Sequence, residues 1–459
     1  MGTPTTAPLV GAIADDFTGA TDVAVAFRRA GLRTAVHFGV PTATSLVPPA
    51  GTQAVVVALK SRTIDPAEAV AQSLQAARWL RERGAERLYF KYCSTFDSTA
   101  RGNIGPVADA LLEFTGSAGT VVVPASPAHG RTQYLGNLFV GDVPLAESPM
   151  RHHPLTPMTD SNVQRVLQTQ TARSATLLTR PVVSRGEAAV REALRAATDA
   201  GHAYVVVDAL DDHDLLTIGA ACRDLPLLTG AAGLAAGLGA ALAAEHVPAR
   251  AAADGADVPG ATRTAVLAGS CSARTLEQLR ELCAAHPGHP AHFLDAVATP
   301  DAAALAEQAL RWYDRQPADG PAPVVYSSQP PEQLRAAQEA LGVDRASRIL
   351  EEATGTVARG LVERGVRRLV VAGGETSGAV VTALGVDGGL IGAEAAPGVP
   401  WIRTRADAGT GPQAGDPLWL LLKSGNFGDA GLLVRAAGDD NPHDAPHDAP
   451  HAPADPVPA

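Results

Sequence analysis

The stretch LVGAIADDFTGATDVAVAFRRA, residues 9–30, shows the pattern that the rest of the chain repeats. Its first part, residues 9–14, is a short apolar run that predicts a buried strand, and residues 20–30 carry apolar side chains at helical spacing. A strand that leads directly into a helix is the unit of a parallel sheet covered by helices. Further strands are predicted at 54–59, 87–92, 120–123 and 203–207, and helices at 66–83, 104–114 and 186–200.

The same alternation restarts after residue 262. Strands are predicted at 264–268, 324–326 and 368–371, and helices at 273–285 and 345–364. Because 459 residues exceed what one ordinary core accommodates, we predict two α/β domains, each a mostly parallel sheet flanked by helices. Their active site is expected in the cleft between them.

Composition places the boundaries of these domains. The small, Pro- and Gly-bearing segment PARAAADGADVPGAT predicts a linker at 248–262, between domains at 1–247 and 263–437. Residues 438–459 repeat HDAP and predict a disordered tail. Between residues 125 and 168 the alternation stops, and a loop of this length is usually functional or wrongly assigned.

Charge and composition exclude several classes of protein. The formal net charge is −11 and no block of Lys and Arg stands out, which argues against a nucleic-acid partner. The four cysteines form no CxxC pair, so a structural metal site is not expected. The first residues do not resemble a signal peptide and no apolar run is long enough to span a bilayer, so we expect a cytoplasmic protein without a membrane partner.

Two polar segments follow predicted strands in the first half. In IADDFTGATD, residues 13–22, Asp15 and Asp16 could bind hydroxyl groups, receive a proton or hold Mg²⁺. The alternative is that Asp16 or Thr18 only caps the next helix. In KYCSTFDST, residues 91–99, followed by RGNIGP, Lys91 could bind a substrate carboxylate. Ser94, Asp97 and Ser98 could bind its hydroxyls, or this segment could be only a polar turn.

Three Gly- and Ser-containing turns follow predicted strands in the second half. They are GSCSART at 269–275, AGGETSG at 372–378 and LKSGNFG at 422–428. Each could present backbone N–H groups to a phosphate at a helix N-terminus, although Ser-rich helix starts are also common caps. Three such turns at one sheet edge predict a nucleotide site, while the GxxxxGK[ST] pattern and the protein-kinase motifs are absent from the sequence.

Together, IADDFTGATD, KYCSTFDST with RGNIGP, GSCSARTLEQ, GGETSGAVV and LKSGNFG resemble the four-carbon acid sugar kinase family. The resemblance covers about residues 10–433. The segment GRTQYLGNLFVGDVPLAESPMRHHPLTPMTDSN, residues 130–162, is similar to the signature of the 3-oxo-tetronate kinase branch of that family. The chain departs from the family pattern at Ala232 and in a longer segment at 404–417.

This resemblance implies an N-terminal domain that binds a sugar acid and a C-terminal domain that binds ATP. The implied nucleotide-binding residues are Ser270, Gly373, Gly374, Glu375, Thr376 and Gly425. Mg²⁺ is expected to bridge the phosphates, and its protein ligands stay open.

We predict an ATP-dependent kinase that phosphorylates the terminal hydroxyl of a four-carbon sugar acid, most readily a 3-oxo-tetronate. Asp16 is the candidate for orienting or deprotonating that hydroxyl. The substrate-binding candidates are Asp15, Arg62, Lys91, Ser94 and Asp97. Three alternatives stay open: a threonate or erythronate kinase, a sugar-acid sensor without chemistry, and an aldolase, epimerase or decarboxylase. The sequence is also compatible with a homo-oligomer.

Overall fold

The computed structural model describes residues 7–43, 45, 48–153, 156–246, 263–404 and 417–438. The predicted linker at 248–262 lies outside these residues, as do the predicted tail apart from Gly438 and most of the longer segment at 404–417.

The first half of the chain alternates strands and helices. Its strands are β1 (Val10–Ala14), β2 (Thr34–Phe38), β3 (Ala54–Ala58), β4 (Arg87–Lys91), β5 (Thr120–Val123), β6 (Arg131–Tyr134), β7 (Asn137–Val140), β8 (Val143–Pro144), β9 (Ala175–Leu178), β10 (Tyr204–Val207) and β11 (Leu227–Gly230). Its helices are α1 (Phe17–Arg29), α2 (Pro66–Glu82), α3 (Ile104–Thr115), α4 (Val163–Gln168), α5 (Arg180–Val183), α6 (Glu187–Asp199), α7 (Asp212–Cys222) and α8 (Ala232–His246).

The second half follows the same plan with an antiparallel addition. Its strands are β12 (Thr264–Ala268), β13 (Ala291–Phe293), β14 (Val324–Tyr326), β15 (Arg368–Ala372), β16 (Gly388–Ala396), β17 (Val399–Thr404) and β18 (Trp419–Lys423). Its helices are α9 (Ala273–Ala285), α10 (Ala302–Tyr313), α11 (Pro331–Leu341), α12 (Val343–Glu363), α13 (Gly374–Ala383) and α14 (Leu432–Ala437).

The strands of both halves form one sheet of 15 strands, in the order β13-β14-β12-β15-β18-β17-β16-β2-β3-β1-β4-β11-β5-β10-β9. The predicted α/β class is confirmed, with the difference that the two mostly parallel sheets are joined. The junction is the antiparallel pairing of β16 with β2, in which Gly388 lies opposite His37 and Leu390 opposite Ala35. The β17 strand is antiparallel to both of its neighbours, β16 and β18.

The inner parallel strands are buried because helices cover both faces of the sheet. All five residues of β1 are buried, and so are those of β3 and β18, as expected for strands that read as continuous apolar runs. On the face covered by α1, one apolar core includes Val56 of β3 and Leu267 of β12, so it extends through both halves. The opposite face of the first half has a separate core that includes Leu80 of α2.

The segment between residues 125 and 168 is not a structureless loop. Its strands β6, β7 and β8 form a small antiparallel sheet. The turn between β6 and β7 has positive φ at Leu135 (49°) and Gly136 (75°), the backbone of a tight hairpin turn. The Asp208 carboxylate is fully buried and accepts hydrogen bonds from the N–H groups of both turn residues (2.8 and 2.9 Å), so it fixes this hairpin against the large sheet.

Glycines at the start of β16 allow the two halves to meet. A Cβ on Gly388 would collide with the carbonyl oxygen of Val36, and a Cβ on Gly389 would lie 2.5 Å from the Arg403 carbonyl oxygen. These are backbone atoms of the neighbouring strands, which cannot move without breaking the strand pairing.

We therefore expect Gly388→Ala to lower the free energy of unfolding by about 2–3 kcal/mol, because the added methyl group strains the junction. Urea denaturation measures this change, and hydrogen exchange would show faster exchange of the β2 and β16 amides. The matched control is Gly360→Ala in α12, whose Cβ would meet only the flexible tip of Leu310. Its cost should stay below about 1 kcal/mol, and equal costs for both variants would contradict the argument.

Candidate active site

The carboxyl ends of β1, β3 and β4 are joined by backbone hydrogen bonds. The Asp15 N–H donates to the Lys91 carbonyl (3.1 Å), and the Asp15 carbonyl accepts from the N–H groups of Ser61 (2.9 Å) and Arg62 (3.2 Å). Asp16 then caps α1, since its Oδ1 accepts from the Gly19 N–H at 2.8 Å. Capping is thus one role of Asp16. The cap hydrogen bond also holds the Asp16 carboxylate at the sheet edge.

Arg62 brings the two adjacent carboxylates together. Its Nε and Nη2 donate to the two oxygens of Asp15 at 2.9 and 2.8 Å. The same Nη2 lies 2.9 Å from Asp16 Oδ1, and Nη1 lies 4.0 Å from Asp97 Oδ2. Arg62 therefore orients Asp15 and Asp16 in this structure, and its contact with a substrate carboxylate stays a prediction.

Asn103 is a site residue that the sequence reasoning missed. Its buried side chain donates from Nδ2 to the carbonyl groups of Ser61 (2.7 Å), Arg62 (3.2 Å) and Ile64 (3.0 Å). These bonds fix the segment that carries Arg62. In the sequence, the Asn of RGNIGP stands just before a predicted helix, where an Asn often acts as a cap. In the structure its side chain makes no cap bond to α3, which leaves it available for the segment that carries Arg62.

Lys91 lies beneath the start of α1. Its side chain is buried (3% exposed), and Nζ donates to the Tyr92 carbonyl at 2.8 Å. A Cβ on Gly19 would lie 2.8 Å from this Nζ, so the glycine allows the helix to approach the lysine. Lys91 thus lies close to Asp16, and its contact with a substrate carboxylate stays a prediction.

The environment of Asp16 favours its protonated form. Burial raises the pKa of Asp16 above its ordinary value of 3.8; the Arg62 charge opposes this rise, Asp15 adds to it, and Lys91 opposes it. A carboxylate with a raised pKa is a better proton acceptor, which is what a general base requires.

The other predicted residues lie on the turn after β4. Asp97 is buried (9% exposed), and its Oδ1 accepts a hydrogen bond of 2.5 Å from Thr95 Oγ1. Ser94 is partly buried on the same turn. Phe96 adopts φ = 52°, an uncommon conformation for a residue other than glycine, and it lies between Thr95 and Asp97. The turn thus holds its polar groups at the same edge as Asp15.

The three turns of the second half converge as predicted. The Ser270 N–H donates to the Ala372 carbonyl (3.1 Å), and the Gly373 N–H donates to the Lys423 carbonyl (2.9 Å). The Gly425 carbonyl accepts from Ser272 Oγ at 2.7 Å and Thr275 Oγ1 at 2.9 Å. The ends of β12, β15 and β18 are therefore held together around the first turns of α9 and α13.

Glycines occur where the three turns meet because the turns approach one another closely there. A Cβ on Gly425 would lie 2.5 Å from Ser270 Oγ, and one on Gly373, which has φ = 135°, would lie 2.8 Å from Thr376 Oγ1. By contrast, a Cβ on Gly374 would have no neighbour within 4 Å among the atoms described. The open position at Gly374 marks the side from which a phosphate could approach the N-terminus of α13.

Lys423 is a second residue that the sequence reasoning left out of the site. It is buried (1% exposed), and Nζ donates to the Gly425 carbonyl and to Thr275 Oγ1, both at 2.9 Å. In the described part of the chain these hydrogen-bond partners are neutral oxygens. Burial lowers the pKa of Lys423 to about 8, and the nearby Arg274 charge adds to the decrease. The lysine therefore supports the Gly425 turn at the cost of a buried charge.

The two sets of residues face each other across the junction of the halves. A narrow crevice of ≈ 20 Å³ is lined from the first half by Phe17, Thr18 and Thr21 of α1. From the second half it is lined by Gly374, Ser377, Gly398, Leu422, Lys423, Ser424 and Phe427. The helix start that carries Asp16 thus lies against the turns of the predicted nucleotide site.

Several larger cavities lie in the described part of the chain, one of them (≈ 490 Å³) beside Ala273 and Asn426 of the glycine-rich turns. Two others lie away from the predicted site residues. One of ≈ 260 Å³ lies at the junction and is lined by His37, Trp79 and Asp387, and one of ≈ 930 Å³ lies beside His286 and Pro321. Neither contains a predicted site residue. We locate the site by its polar groups rather than by cavity size, because the strand ends and helix starts supply the groups that bind anions.

The described residues contain neither a cluster of metal-binding side chains nor a membrane-spanning helix. No group of three or more His, Cys, Asp or Glu side chains there could hold a metal ion. Within the same residues, no helix combines the length and apolar character needed to cross a bilayer.

Comparison with known proteins identifies both halves. Residues 10–238 match the model of a sugar-binding N-terminal domain, and residues 265–433 match that of a nucleotide-binding C-terminal domain. The chain therefore has the two-part organisation of an enzyme that brings a sugar and a nucleotide together. The exact bounds predicted for the domains stay a prediction.

Curated relatives give the family. The chain is 48% identical to a 3-oxo-tetronate kinase of Pseudomonas fluorescens, over 94% of this chain and 97% of the relative. It is 48% identical to one of Cupriavidus necator, over 93% and 96%, and 41% identical to one of Salmonella typhimurium, over 93% and 98%. The chain belongs to the four-carbon acid sugar kinase family.

Solved structures agree with this fold. A Haemophilus influenzae protein superposes with a TM-score of 0.79 at 40% identity, over 93% of this chain and 98% of that chain. A Salmonella typhimurium protein described as a tRNA synthase gives 0.82 at 41% identity, with the same coverage.

Replacing the buried lysine separates its effects on stability and function. Lys423 has a folded pKa of about 8 against an ordinary value of 10.5, so the unfolded chain binds more protons between these values. The free energy of unfolding should therefore rise with pH across this window. Lys423→Met should abolish that rise and increase stability at pH 7 by about 1–2 kcal/mol, while nucleotide affinity falls because the Gly425 turn loses its support.

Urea denaturation from pH 7 to 10.5 and calorimetric titration with ATP measure both effects. For the stability measurement alone, the control is Lys60→Met, which removes a half-exposed lysine and should change stability by less than about 0.5 kcal/mol. A Lys423→Met protein that is less stable than the wild type at pH 7 would contradict the argument.

Proposed function

We propose that this protein is an ATP-dependent kinase that converts a 3-oxo-tetronate to its 4-phosphate. The curated relatives that cover more than nine-tenths of the chain are 3-oxo-tetronate kinases, which supports the substrate class. ATP use follows from the kinase class, and we expect the protein to act in the cytoplasm, where ATP is available.

The observation that carries the proposal is the crevice between α1 and the glycine-rich turns. It brings the first turn of α1, which Asp16 caps, against the N-terminus of α13 at Gly374. Phosphoryl transfer requires the acid and the nucleotide to meet, since a hydroxyl group must lie in line with the terminal phosphate. A contact between the acid half and the nucleotide half at these helix starts supports such a meeting.

The acid would bind along the carboxyl ends of β1 and β4. With the terminal hydroxyl directed to Asp16, the one other hydroxyl group would donate to the carboxylate of Asp15 or Asp97, and Ser94 lies on the same turn as Asp97. Lys91 and Arg62 are the nearby cations for its carboxylate. Because Arg62 already contacts both Asp15 and Asp16, substrate binding would redistribute its hydrogen bonds rather than engage an unused side chain.

Asp16 accounts for the proton in the reaction. As the terminal oxygen of the acid forms its bond to the γ-phosphorus, the hydroxyl proton passes to the Asp16 carboxylate. The bond between that phosphorus and the β,γ-bridging oxygen breaks, and ADP leaves with its electron pair. The raised pKa of Asp16 suits it to accept this proton.

The nucleotide would bind with its phosphates at the N-termini of α13 and α9. Gly373 and Gly374 present backbone there, and Ser270, Thr376 and Gly425 surround them. Mg²⁺ typically binds through substrate phosphates with only one or two carboxylates and several waters. We therefore expect it to enter with ATP.

The test is ADP release by purified protein with ATP, Mg²⁺ and a panel of 3-oxo-tetronates, threonates and erythronates. We expect release with a 3-oxo-tetronate and turnover at least about tenfold lower with the other acids. Release only with threonate or erythronate would retain the kinase and change its substrate. Binding of an acid without ADP release would favour a sensor, and conversion of an acid without ATP would favour another enzyme class.

Asp16→Asn tests the proposed base. Asparagine retains the cap of α1 but cannot accept the proton, so kcat should fall about 10²- to 10⁴-fold with little loss of stability. In the wild type, the fall in kcat toward low pH should follow protonation of Asp16, above the ordinary value of 3.8.

The matched control is Asp301→Asn, which changes the cap of α10 in the same way outside the site. It should retain near-full turnover. An Asp16→Asn protein that also retains near-full turnover would remove the proposed role.

A further inference from the structure

The chain uses lysine at three positions only, among 37 basic residues. Lys91 ends β4, Lys423 ends β18, and Lys60 lies two residues after β3. All three are therefore at the strand ends that border the candidate site. Lys91 and Lys423 are buried in the two halves, whereas the side chain of Lys60 is half-exposed.

The backbone around Lys60 is fixed to the acid half. The Leu59 N–H donates to the Ala14 carbonyl at 2.9 Å, and the Ser61 N–H donates to the Asp15 carbonyl at 2.9 Å. Arg62, which holds the acidic pair, lies only two residues further along. Lys60 thus belongs to the same fixed segment as the residues that are expected to bind the acid.

The side chain of Lys60 nevertheless crosses to the nucleotide half. Its Nζ lies 3.5 Å from Glu375 Oε2 in the first turn of α13 and 5.4 Å from the centroid of the Phe17 ring. A Cβ on Gly378 would lie 2.6 Å from this Nζ. Glycine at 378 therefore allows the ammonium group to lie directly on the flank of α13.

The present partner of Lys60 is readily exchanged. The side chains of Lys60 and Glu375 are 54% and 78% exposed, and an exposed pair of this kind contributes little. Gly378 is four residues from Gly374, or about 6 Å along the helix axis. A flexible lysine can cover that distance, and its compact charge suits a phosphate group.

We propose that Lys60 binds the terminal phosphate of the nucleotide from the acid half, exchanging Glu375 for the phosphate when ATP is bound. This inference rests on the proposed kinase function and adds a phosphate-binding residue to it. The ammonium group enters from the side of α1, where the attacking hydroxyl is expected, so it would contact the γ-phosphate rather than the α- or β-phosphate. It would neutralise charge on the group being transferred and link nucleotide binding to the segment that holds Arg62.

The experiment compares ATP with ADP, since only ATP carries the proposed ligand. Calorimetric titrations with Mg²⁺ and without the acid give the two dissociation constants. Lys60→Met should weaken ATP binding about tenfold or more and ADP binding less than about threefold, because one charge-assisted contact is lost. Lys60→Arg should recover most of the ATP affinity, and kcat for the Met variant should fall at least about tenfold.

The matched control is Arg29→Met, which removes another ion pair between the halves. Arg29 contacts Glu394 with two bonds of 2.7 Å and lies at the far end of α1, about 18 Å from Phe17. If Lys60 only held the halves together, both variants would change ATP and ADP binding equally. That outcome, or unchanged ATP affinity in Lys60→Met, would overturn the inference.

The wild-type titration keeps this result separate from the proposed function. If the wild-type protein binds no ATP, or turns over no four-carbon acid, the kinase proposal has failed. If the wild type binds ATP and turns over the acid while Lys60→Met does the same, only the role of Lys60 has failed.

Discussion

The position of the two halves depends on β16, the strand that joins them. Three antiparallel pairings separate β2 from β18, so the parallel strands of the two halves run in opposite senses along one sheet. On a flat sheet, the carboxyl ends of β1 and β18 would lie at opposite edges. Their meeting at the crevice between Phe17 and Ser424 requires a sheet that is strongly twisted and bent. The register of β16 with β17 shifts on both sides of Glu394, and irregularities of this kind increase local twist.

The position of helix α1 relative to the nucleotide half depends on that bend. Its core-facing residues, such as Val23 and Phe27, belong to the apolar core that also contains Leu369 of β15. At its last turn, Arg29 forms a bidentate ion pair with Glu394, next to the irregular part of β16. The helix is therefore held along its core-facing side and at its last turn, and its first turn, which Asp16 caps, lies against the nucleotide half.

Local patterns in the sequence predicted the parallel parts of the fold and the polar segments of the site. The apolar runs of β1, β4 and β15 and the motifs that follow them lie where they were expected. The strands that were missed include β2, β16 and β17, which form the junction. Their pairing joins Gly388 to His37 across about 350 residues of chain, and no local periodicity encodes such a contact. The hairpin within residues 125–168 was not predicted either, because it is fixed by Asp208, which is distant in sequence.

Side-chain partners were the least predictable part of the site. The motifs identified Asp15 and Asp16, and Arg62 was a candidate for binding the substrate. The sequence did not show that Arg62 contacts both carboxylates, nor that Asn103 fixes the segment carrying Arg62. These contacts depend on how β1, β3 and the start of α3 pack together. Similarly, LKSGNFG indicated a phosphate turn, whereas only the packing of β18 against α9 reveals Lys423 as its support.

Because the protein carries a net negative charge, the positions of its few cations at the site matter for binding. A protein with a net charge of −11 repels both an acid and a nucleotide at a distance, so binding depends on local charges. At the acid site, Asp15, Asp16 and Asp97 outnumber Arg62 and Lys91. Burial is the main cause of the raised pKa of Asp16, and the charge of Asp15 adds to it. Such a site lets a carboxylate serve as a base, but it leaves little positive charge for a phosphate that arrives beside it. A cation attached to the acid half and directed toward α13 relieves this conflict, because it meets the phosphate without neutralising Asp16. The segment at residues 59–62 supplies a cation for each half. Arg62 contacts the carboxylates of the acid site, and Lys60 reaches Glu375 in the nucleotide half.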